Sequence, residues 1–183
     1  MDDQKEQNLI RGAKRGDKKA IAALYDHHYR AVFNYIYYRV SDQQSAEDLS
    51  AEVFIRMINK IPSYKDRGRP FLAWLYTIAR NLVIDHYRAG EKREELPIKE
   101  NLLEHPSLAP DQQIQVRQQE DCFRKVLDKL PENQRQLLIF RFINGFSTPE
   151  IVDLLEKSDR AIRSLQHRAL RSLERALSEE NCL

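Results

Sequence analysis

The twenty residues from Arg69 to Arg88, RPFLAWLYTIARNLVIDHYR, repeat apolar side chains at Phe71, Leu72, Trp74, Leu75, Ile78, Ala79, Leu82 and Val83. This is the i, i+3, i+4, i+7 rhythm of an amphipathic helix, and it does not fit a strand, whose side chains alternate with period two. Pro70 falls in the first turn, where its missing N–H has no intrahelical partner to lose. The opposite face carries Thr77, Arg80, Asn81, Asp85 and Arg88, with Tyr76 and Tyr87 on its flanks. Such a helix needs neighbours to cover its apolar side. Its basic, aromatic face is either solvated or binds something. No segment of the chain alternates with period two, so the expected fold is all-α.

Upstream, a short helix is expected from about Asp2 to Arg15, with Leu9, Ile10 and Ala13 apolar and Gly16 as its stop. Asp17 has N-cap chemistry for a long helix bearing Ile21, Leu24, His28, Val32, Tyr35, Ile36 and Val40 on one side. Its aromatics, Tyr25, Tyr29, Phe33, Tyr35, Tyr37 and Tyr38, read as core and core-edge packing. His27 and His28 are adjacent and point apart on a helix, so no metal pair is expected from them; helical ligand pairs take i, i+4 spacing. Ser45 with Asp48 matches the S-x-x-D capping signal of a third helix running to about Lys60. Its buried stripe is Ala46, Leu49, Val53, Phe54, Met57 and Ile61, with Glu47, Asp48, Glu52 and Arg56 off that stripe. The acids either complement the helix dipole or form a docking face for a basic partner. Pro62 to Gly68 is a short polar loop holding Tyr64, Lys65 and Arg67, followed at once by Arg69.

After Arg88 the periodicity stops. Glutamates and prolines alternate with a few cations, and residues 90–111 are expected to be a flexible linker between two small helical domains, 1–89 and 112–183. In the second, Ile114, Val116, Cys122, Val126, Leu127 and Leu130 mark a helix that stops before Pro131. Glu132 to Asn144 is another, with Leu137, Leu138, Phe140 and Phe142 apolar and Gly145 as its stop. Ser147 and Glu150 have capping-box spacing ahead of a short helix, Pro149 to Leu155. A last helix runs from Asp159 to about Glu180. The pair Pro149–Leu155 and Asp159–Arg175 has the dimensions of a helix-turn-helix, with Ile151, Leu154 and Leu155 against Ile162, Leu165 and Ala169. The outward face of its second helix bears Arg160, Arg163, Ser164, His167, Arg168 and Arg171. From Lys157 to Arg175 there are six basic residues and two acids, a net of +4 that the overall charge of +2 conceals. That face is either the solvated side of an αα-hairpin or a DNA reader, whose first residues suit base edges and whose later ones suit phosphates.

Other chemistries find no support. There is no Gly-rich phosphate loop, no H-E-x-x-H and no cysteine cluster, and Asp85 and His86 are adjacent and do not face each other. No catalytic residue, cofactor or metal is expected. With 42% hydrophobic and 32% charged residues, and only 5 Gly and 7 Pro, the chain is neither disordered nor a turn-rich β fold. Cys122 and Cys182 lie far apart and fit reduced thiols in the cytoplasm. The N-terminal MDDQKEQNLIRGAKRGDKK has no apolar run, and no stretch reaches the roughly 18 apolar residues of a membrane span, so a soluble cytoplasmic protein without membrane insertion is expected.

Two blocks together resemble the bacterial RNA polymerase sigma factors of the small, extracytoplasmic-function type. ALYDHHYRAVFNYIYYRV, AEDLSAEVFIRMINKIPSY and RPFLAWLYTIARNLVIDHYR resemble that family's first conserved domain (region 2). LPENQRQLLIFRFINGFSTPEIVDLLEKSDRAIRSLQHRALRSL resembles its second (region 4). The resemblance implies that Glu47, Asp48, Leu49, Glu52, Val53 and Phe54 dock on core RNA polymerase. It implies that Tyr64, Lys65, Arg67, Arg69, Trp74, Tyr76, Arg80 and Asn81 melt the −10 promoter region and hold a flipped base. By periodicity alone core packing is the preferred reading for Trp74. It further implies that Ser158, Arg160, Arg163, Ser164, His167, Arg168 and Arg171 read the −35 element, that the acidic linker threads the polymerase channel, and that an anti-sigma factor is a partner beside core polymerase and promoter DNA. One departure stands in the helix-turn-helix. Glu156 and Lys157 occupy the turn where the family usually has Gly and an apolar residue, and Glu at a positive φ costs about 1 kcal/mol. Asp159 is placed to cap the following helix. The alternatives are a stand-alone helix-turn-helix regulator and a helical, sigma-like adaptor that does not bind DNA.

Overall fold

The computed structural model describes residues 3–40, 42–90 and 122–180. Among them every regular element is helical. Contacts divide the chain into two units, Met1–Ile98 and Lys99–Leu183. Most of the expected linker, residues 91–111, lies outside the described residues, as do Ile114 and Val116 of the expected helix after it.

The first unit packs four helices: α1 (Asp3–Lys14), α2 (Lys18–Tyr37), α3 (Gln43–Lys60) and, after a 3-10 turn at Ile61–Ser63, α4 (Phe71–Gly90). Asp17 caps α2 as expected, its carboxylate accepting from the amides of Lys19 and Ala20 at 2.9 and 3.5 Å. The α1–α2 crossing is close: a Cβ on Gly12 would sit 2.9 Å from that of Ala20. On α2 the expected stripe of Leu24, His28, Val32, Tyr35 and Ile36 is buried. The cap of α3 is Asp42 rather than Ser45. The extended backbone at Asp42 (φ −141°, ψ 157°) aims its carboxylate at the Ser45 amide, 2.8 Å away, so the S-x-x-D match lies one turn inside the helix. Ser50 takes a buried place on α3 because its hydroxyl donates to the Ala46 carbonyl at 2.6 Å, while Leu49 is only half-buried.

On α4, Phe71, Leu72, Leu75, Ile78, Ala79, Leu82 and Val83 are buried, as the periodicity requires. Pro70 stands just ahead of the helix, its carbonyl accepting from the Ala73 amide at 2.9 Å. Tyr76 departs from its expected place on the polar flank. It is buried with its ring 4.8 Å from that of Tyr35. The α2 aromatics form the expected packing array: Tyr25, Tyr29, Phe33 and Tyr37 follow one another at i, i+4, with ring centroids 5.1 to 5.9 Å apart, and Phe54 of α3 closes on Tyr25 at 4.7 Å. Arg39 is buried beyond the end of α2, donating to the Tyr35 carbonyl at 2.8 Å with its guanidinium 3.6 Å above the Tyr35 ring.

The second unit contains α5 (residues 122–128), α6 (Glu132–Leu138), α7 (Thr148–Leu155) and α8 (Asp159–Glu180). The expected helix from Glu132 to Asn144 changes winding halfway: α6 passes into a π-helical segment, Ile139–Ile143, closed by Asn144 N–H donating to the Ile139 carbonyl at 2.9 Å. The extra residue per turn rotates the following side chains, and Phe142 emerges 57% exposed instead of joining Leu137, Leu138 and Phe140 in the core. Cys122 is disulfide-bonded, which corrects the expectation of reduced thiols. Distance in sequence is a poor guide here, because the Lys129–Glu180 ion pair already holds the end of α8 against the end of α5. The chain's other cysteine, Cys182, lies outside the described residues. No helix among the described residues is long and apolar enough to cross a membrane.

Candidate nucleic-acid interface

Between the 3-10 turn and the start of α4 the first unit opens a cavity of about 530 Å³. It is lined by Lys60, Ser63, Tyr64, Lys65, Arg67, Arg69, Pro70, Ala73, Trp74 and Thr77. The loop stays open because Gly68 turns the chain at φ +72°, a left-handed conformation that glycine takes without a Cβ clash, while Asp66 accepts from the Gly68 amide at 2.8 Å. Helix α1 braces it from behind. Gln7 donates to Asp66 at 2.8 Å, and the Lys14 ammonium donates to the Tyr64 carbonyl at 2.9 Å. The floor is aromatic: Tyr64 lies 4.7 Å from Trp74 and 5.3 Å from Phe71, and Phe71 and Trp74 are 5.3 Å apart. Burial pushes the Tyr64 phenol above its ordinary pKa, so it stays a neutral hydrogen-bonding group.

Four cations, Lys60, Lys65, Arg67 and Arg69, therefore ring a slot with stacking surface at its base. Cations and exposed π faces together suit an unpaired base on its phosphate backbone. Of the residues expected here, Tyr64, Lys65, Arg67, Arg69 and Trp74 come together. Arg80 and Asn81 are exposed one turn beyond Thr77 and extend its face of α4 without lining the cavity, and buried Tyr76 is not part of it. Lys60, Ser63, Pro70, Ala73 and Thr77 are additions. The periodicity of α4 already put Thr77 on the polar face, whereas Lys60 and Ser63 reach the slot only through the 3-10 turn.

The acidic face of α3 is more divided than expected. Asp48 is exposed and accepts from Gln44 at 3.1 Å. Glu47 accepts from Gln43 at 2.6 Å, and Glu52 pairs with Arg56 at 2.7 Å. Val53 and Phe54, expected to touch a partner, are in the core at 0% and 3% exposure, since they lie on the stripe that faces α2. The apolar side chains that α3 does present are Ile55 and Ile58, 52% and 44% exposed. Their signal in the sequence was their position off the buried stripe.

In the second unit, Ile151, Ile162, Leu165 and Ala169 are buried between α7 and α8, with Leu154 and Leu155 half-buried. The capping box is complete: the Ser147 amide and hydroxyl both donate to the Glu150 carboxylate, at 2.7 and 2.6 Å, and the Ser147 hydroxyl accepts from the Glu150 amide at 3.5 Å. These bonds hold the Glu150 carboxyl below its ordinary pKa. Glu156 ends α7 in the left-handed region, φ 54° and ψ 44°, the conformation its place in the turn requires. Ser158, not Asp159, caps α8, its hydroxyl accepting from the Ala161 amide at 3.2 Å. Asp159 instead pairs with Arg163 at 2.6 Å, one turn on. Ser158, Arg160, Arg163, Ser164, His167, Arg168 and Arg171 are all exposed along one length of α8.

Each unit matches a family model among known proteins. Residues 24–93 match the family model Sigma-70 region 2, and residues 120–173 match Sigma-70, region 4. The chain is 35% identical over 173 residues to the ECF RNA polymerase sigma factor BldN of Streptomyces coelicolor, covering 94% of this chain and 66% of that protein. It is 35% identical over 185 residues to the ECF RNA polymerase sigma factor ShbA of Streptomyces griseus, covering 94% of each. In fold it resembles the sigma factor RpoE of Bartonella quintana, solved with the anti-sigma factor NepR, with a TM-score of 0.60 at 22% identity over 87% of this chain and 98% of that one.

Proposed function

This chain belongs to the extracytoplasmic-function family of RNA polymerase sigma factors, and from that membership we propose that it binds core RNA polymerase and directs promoter-specific initiation. The observation that carries the reading is the cationic, aromatic-floored slot beside α4. Extruding a base from a duplex costs a few kcal/mol, and stacking on an aromatic surface returns about 1–3 kcal/mol per base. The slot therefore suits capture of a −10 base on the single strand. Lys60, Lys65, Arg67 and Arg69 hold its phosphates, Tyr64 and Trp74 stack on it, and Arg80 and Asn81 meet the strand further along α4.

In the same reading α3 docks on core polymerase through Glu47, Asp48 and Glu52 together with Leu49, Ile55 and Ile58, while Val53 and Phe54 hold that surface in shape from below. The exposed face of α8 enters the −35 major groove. Ser158 and Arg160 stand at its leading end, and Arg168 and Arg171 are placed for phosphates. The linker acids are placed along the polymerase channel, and the domain limits 1–89 and 112–183 follow the two functions. An anti-sigma factor is proposed as a further partner, of the kind solved with RpoE. The work is done in the cytoplasm, and no catalytic step is assigned to the chain. The helical-adaptor alternative drew on Glu156 and Lys157. The left-handed Glu156 keeps the turn in the form a helix-turn-helix needs, which favours the DNA-reading assignment.

The test is reconstitution. The purified chain is added to core polymerase with a library of promoter fragments, and run-off transcripts are scored. Sigma-dependent transcripts from a defined subset are expected. Trp74→Ala is expected to keep core binding and to lower open-complex formation by roughly ten-fold, the loss of one stacking contact of about 1–3 kcal/mol. Duplex binding without core association would return the assignment to a stand-alone regulator. Core binding without initiation would return it to an adaptor.

A further inference from the structure

Near the start of α1 and at the middle of α2, Glu6, His27 and His28 gather in a way that neither DNA nor polymerase binding uses. The expected divergence of the adjacent histidines is incomplete: their ring centroids are 4.7 Å apart, inclined at 72°. One ligand atom from each of the three side chains lies within 4.8 Å of the others. The Glu6 carboxylate is 3.0 Å from His28 Nε2, yet the two lack the alignment of a hydrogen bond, and that buried nitrogen has no hydrogen-bond partner. The His28 side chain is 4% exposed and the Glu6 side chain 14%. A carboxylate at this range favours a cation, a proton or a metal ion, on the imidazole nitrogen.

We infer that Glu6, His27 and His28 form a binding site for a borderline divalent transition cation of the zinc class. Two imidazoles and one carboxylate are the donor set such ions take, whereas magnesium and calcium call for oxygen ligands. Metal–nitrogen and metal–oxygen bonds of about 2.0–2.2 Å at a tetrahedral angle separate donors by about 3.3 Å, close to the Glu6–His28 spacing. Rotation of the exposed His27 ring brings in the third donor, and the open side toward solvent leaves the fourth position to water. The ion would tie α1 to α2, and α1 is the helix whose Gln7 and Lys14 brace the loop at Tyr64–Asp66.

The experiment uses the full chain, freed of any affinity tag and stripped with chelator. Cobalt(II) is titrated in at neutral pH while the visible d–d band is followed, and zinc(II) is then added to compete it away. A band saturating at one equivalent, displaced by zinc, is expected. His27→Ala removes an exposed ligand without touching the core, and Glu6→Gln keeps the shape while removing the charge. Each is expected to weaken zinc binding at least ten-fold while leaving the metal-free thermal transition in place. Zinc is expected to raise that transition in the native chain and not in His27→Ala. Absence of a saturable band, or unchanged affinity in both variants, overturns the site.

Discussion

Replacing Glu156 by glycine should stabilise the second unit. Glu156 is the non-glycine residue with positive φ among those described, at φ 54° and ψ 44°. In that region the Cβ crowds the following carbonyl, at roughly 1–2 kcal/mol. Glycine removes the clash but gives the unfolded chain more freedom, which offsets about 0.4–1 kcal/mol. The backbone bonds that close α7, from the Glu156 and Lys157 amides to the Val152 carbonyl, need no side chain and remain. The net gain is about 0.5–1 kcal/mol. For a domain of this size that raises the midpoint of thermal unfolding by about 2–8 °C. Calorimetry of the native chain, Glu156→Gly and Glu156→Ala side by side measures it. Alanine keeps the Cβ and so should not match the glycine gain. If alanine stabilises as much as glycine, or if glycine destabilises, the strain argument is wrong and the contacts of the glutamate side chain govern the turn.

Four further outcomes follow from the placement of side chains. Phe54→Ala should destabilise the first unit by about 3–5 kcal/mol, read by chemical denaturation, because the ring is buried against Tyr25. Asp48→Arg should leave stability within about 0.5 kcal/mol while weakening core binding in a pull-down or by surface plasmon resonance; unchanged affinity refutes the docking role of α3. Arg163→Ala should reduce −35 affinity by about 1–3 kcal/mol with loss of sequence preference if Arg163 leaves Asp159 to read a base, and equally on scrambled sites if it touches only phosphate. Ser147→Ala should lower stability by about 1 kcal/mol at neutral pH. Glu150 has a depressed folded pKa, so its share of the capping box is present above the ordinary carboxylate value and lost as pH falls through the lowered one. The difference between native and Ser147→Ala melting curves should therefore narrow on acidification; a constant gap shows that the Glu150 charge contributes nothing.

The parts legible in advance are those that depend on spacing alone. The stripes of α2 and α4, the stop at Gly16, the cap at Asp17, the capping box at Ser147 and the helix-turn-helix pair all follow from positions three and four apart, or from a side chain reaching an amide within one turn. The errors arise where a choice depends on what lies across the gap. The Ser45 and Asp42 caps differ by one turn, and either could start the same stripe until the extended backbone of Asp42 selects it. Tyr76 sits on the boundary of its helix face, and it is buried because Tyr35 offers it a ring to pack on. Phe142 turns outward because a π-helical step shifts the register behind it, a winding change that carries no composition signal.

The interface divides along the same line. Exposure of the α8 cations needed only helical geometry, so every residue expected there is on the surface. The slot beside α4 needed a loop, and its shape is set by residues with no place in an amphipathic pattern: Gly68 for the turn, Asp66 for the amide it holds, and Gln7 and Lys14 of α1 for the support behind. The α1 helix offers only a thin apolar stripe, which in isolation is a weak case for a stable element. Its worth lies in tertiary bonds to the loop and in the close crossing at Gly12 and Ala20. Loosening that crossing is thus a way to disturb the slot without touching it. A Cβ at Gly12 must push α1 from α2, so Gly12→Ala should impair strand capture more than core docking, since α3 makes its own contacts with α2.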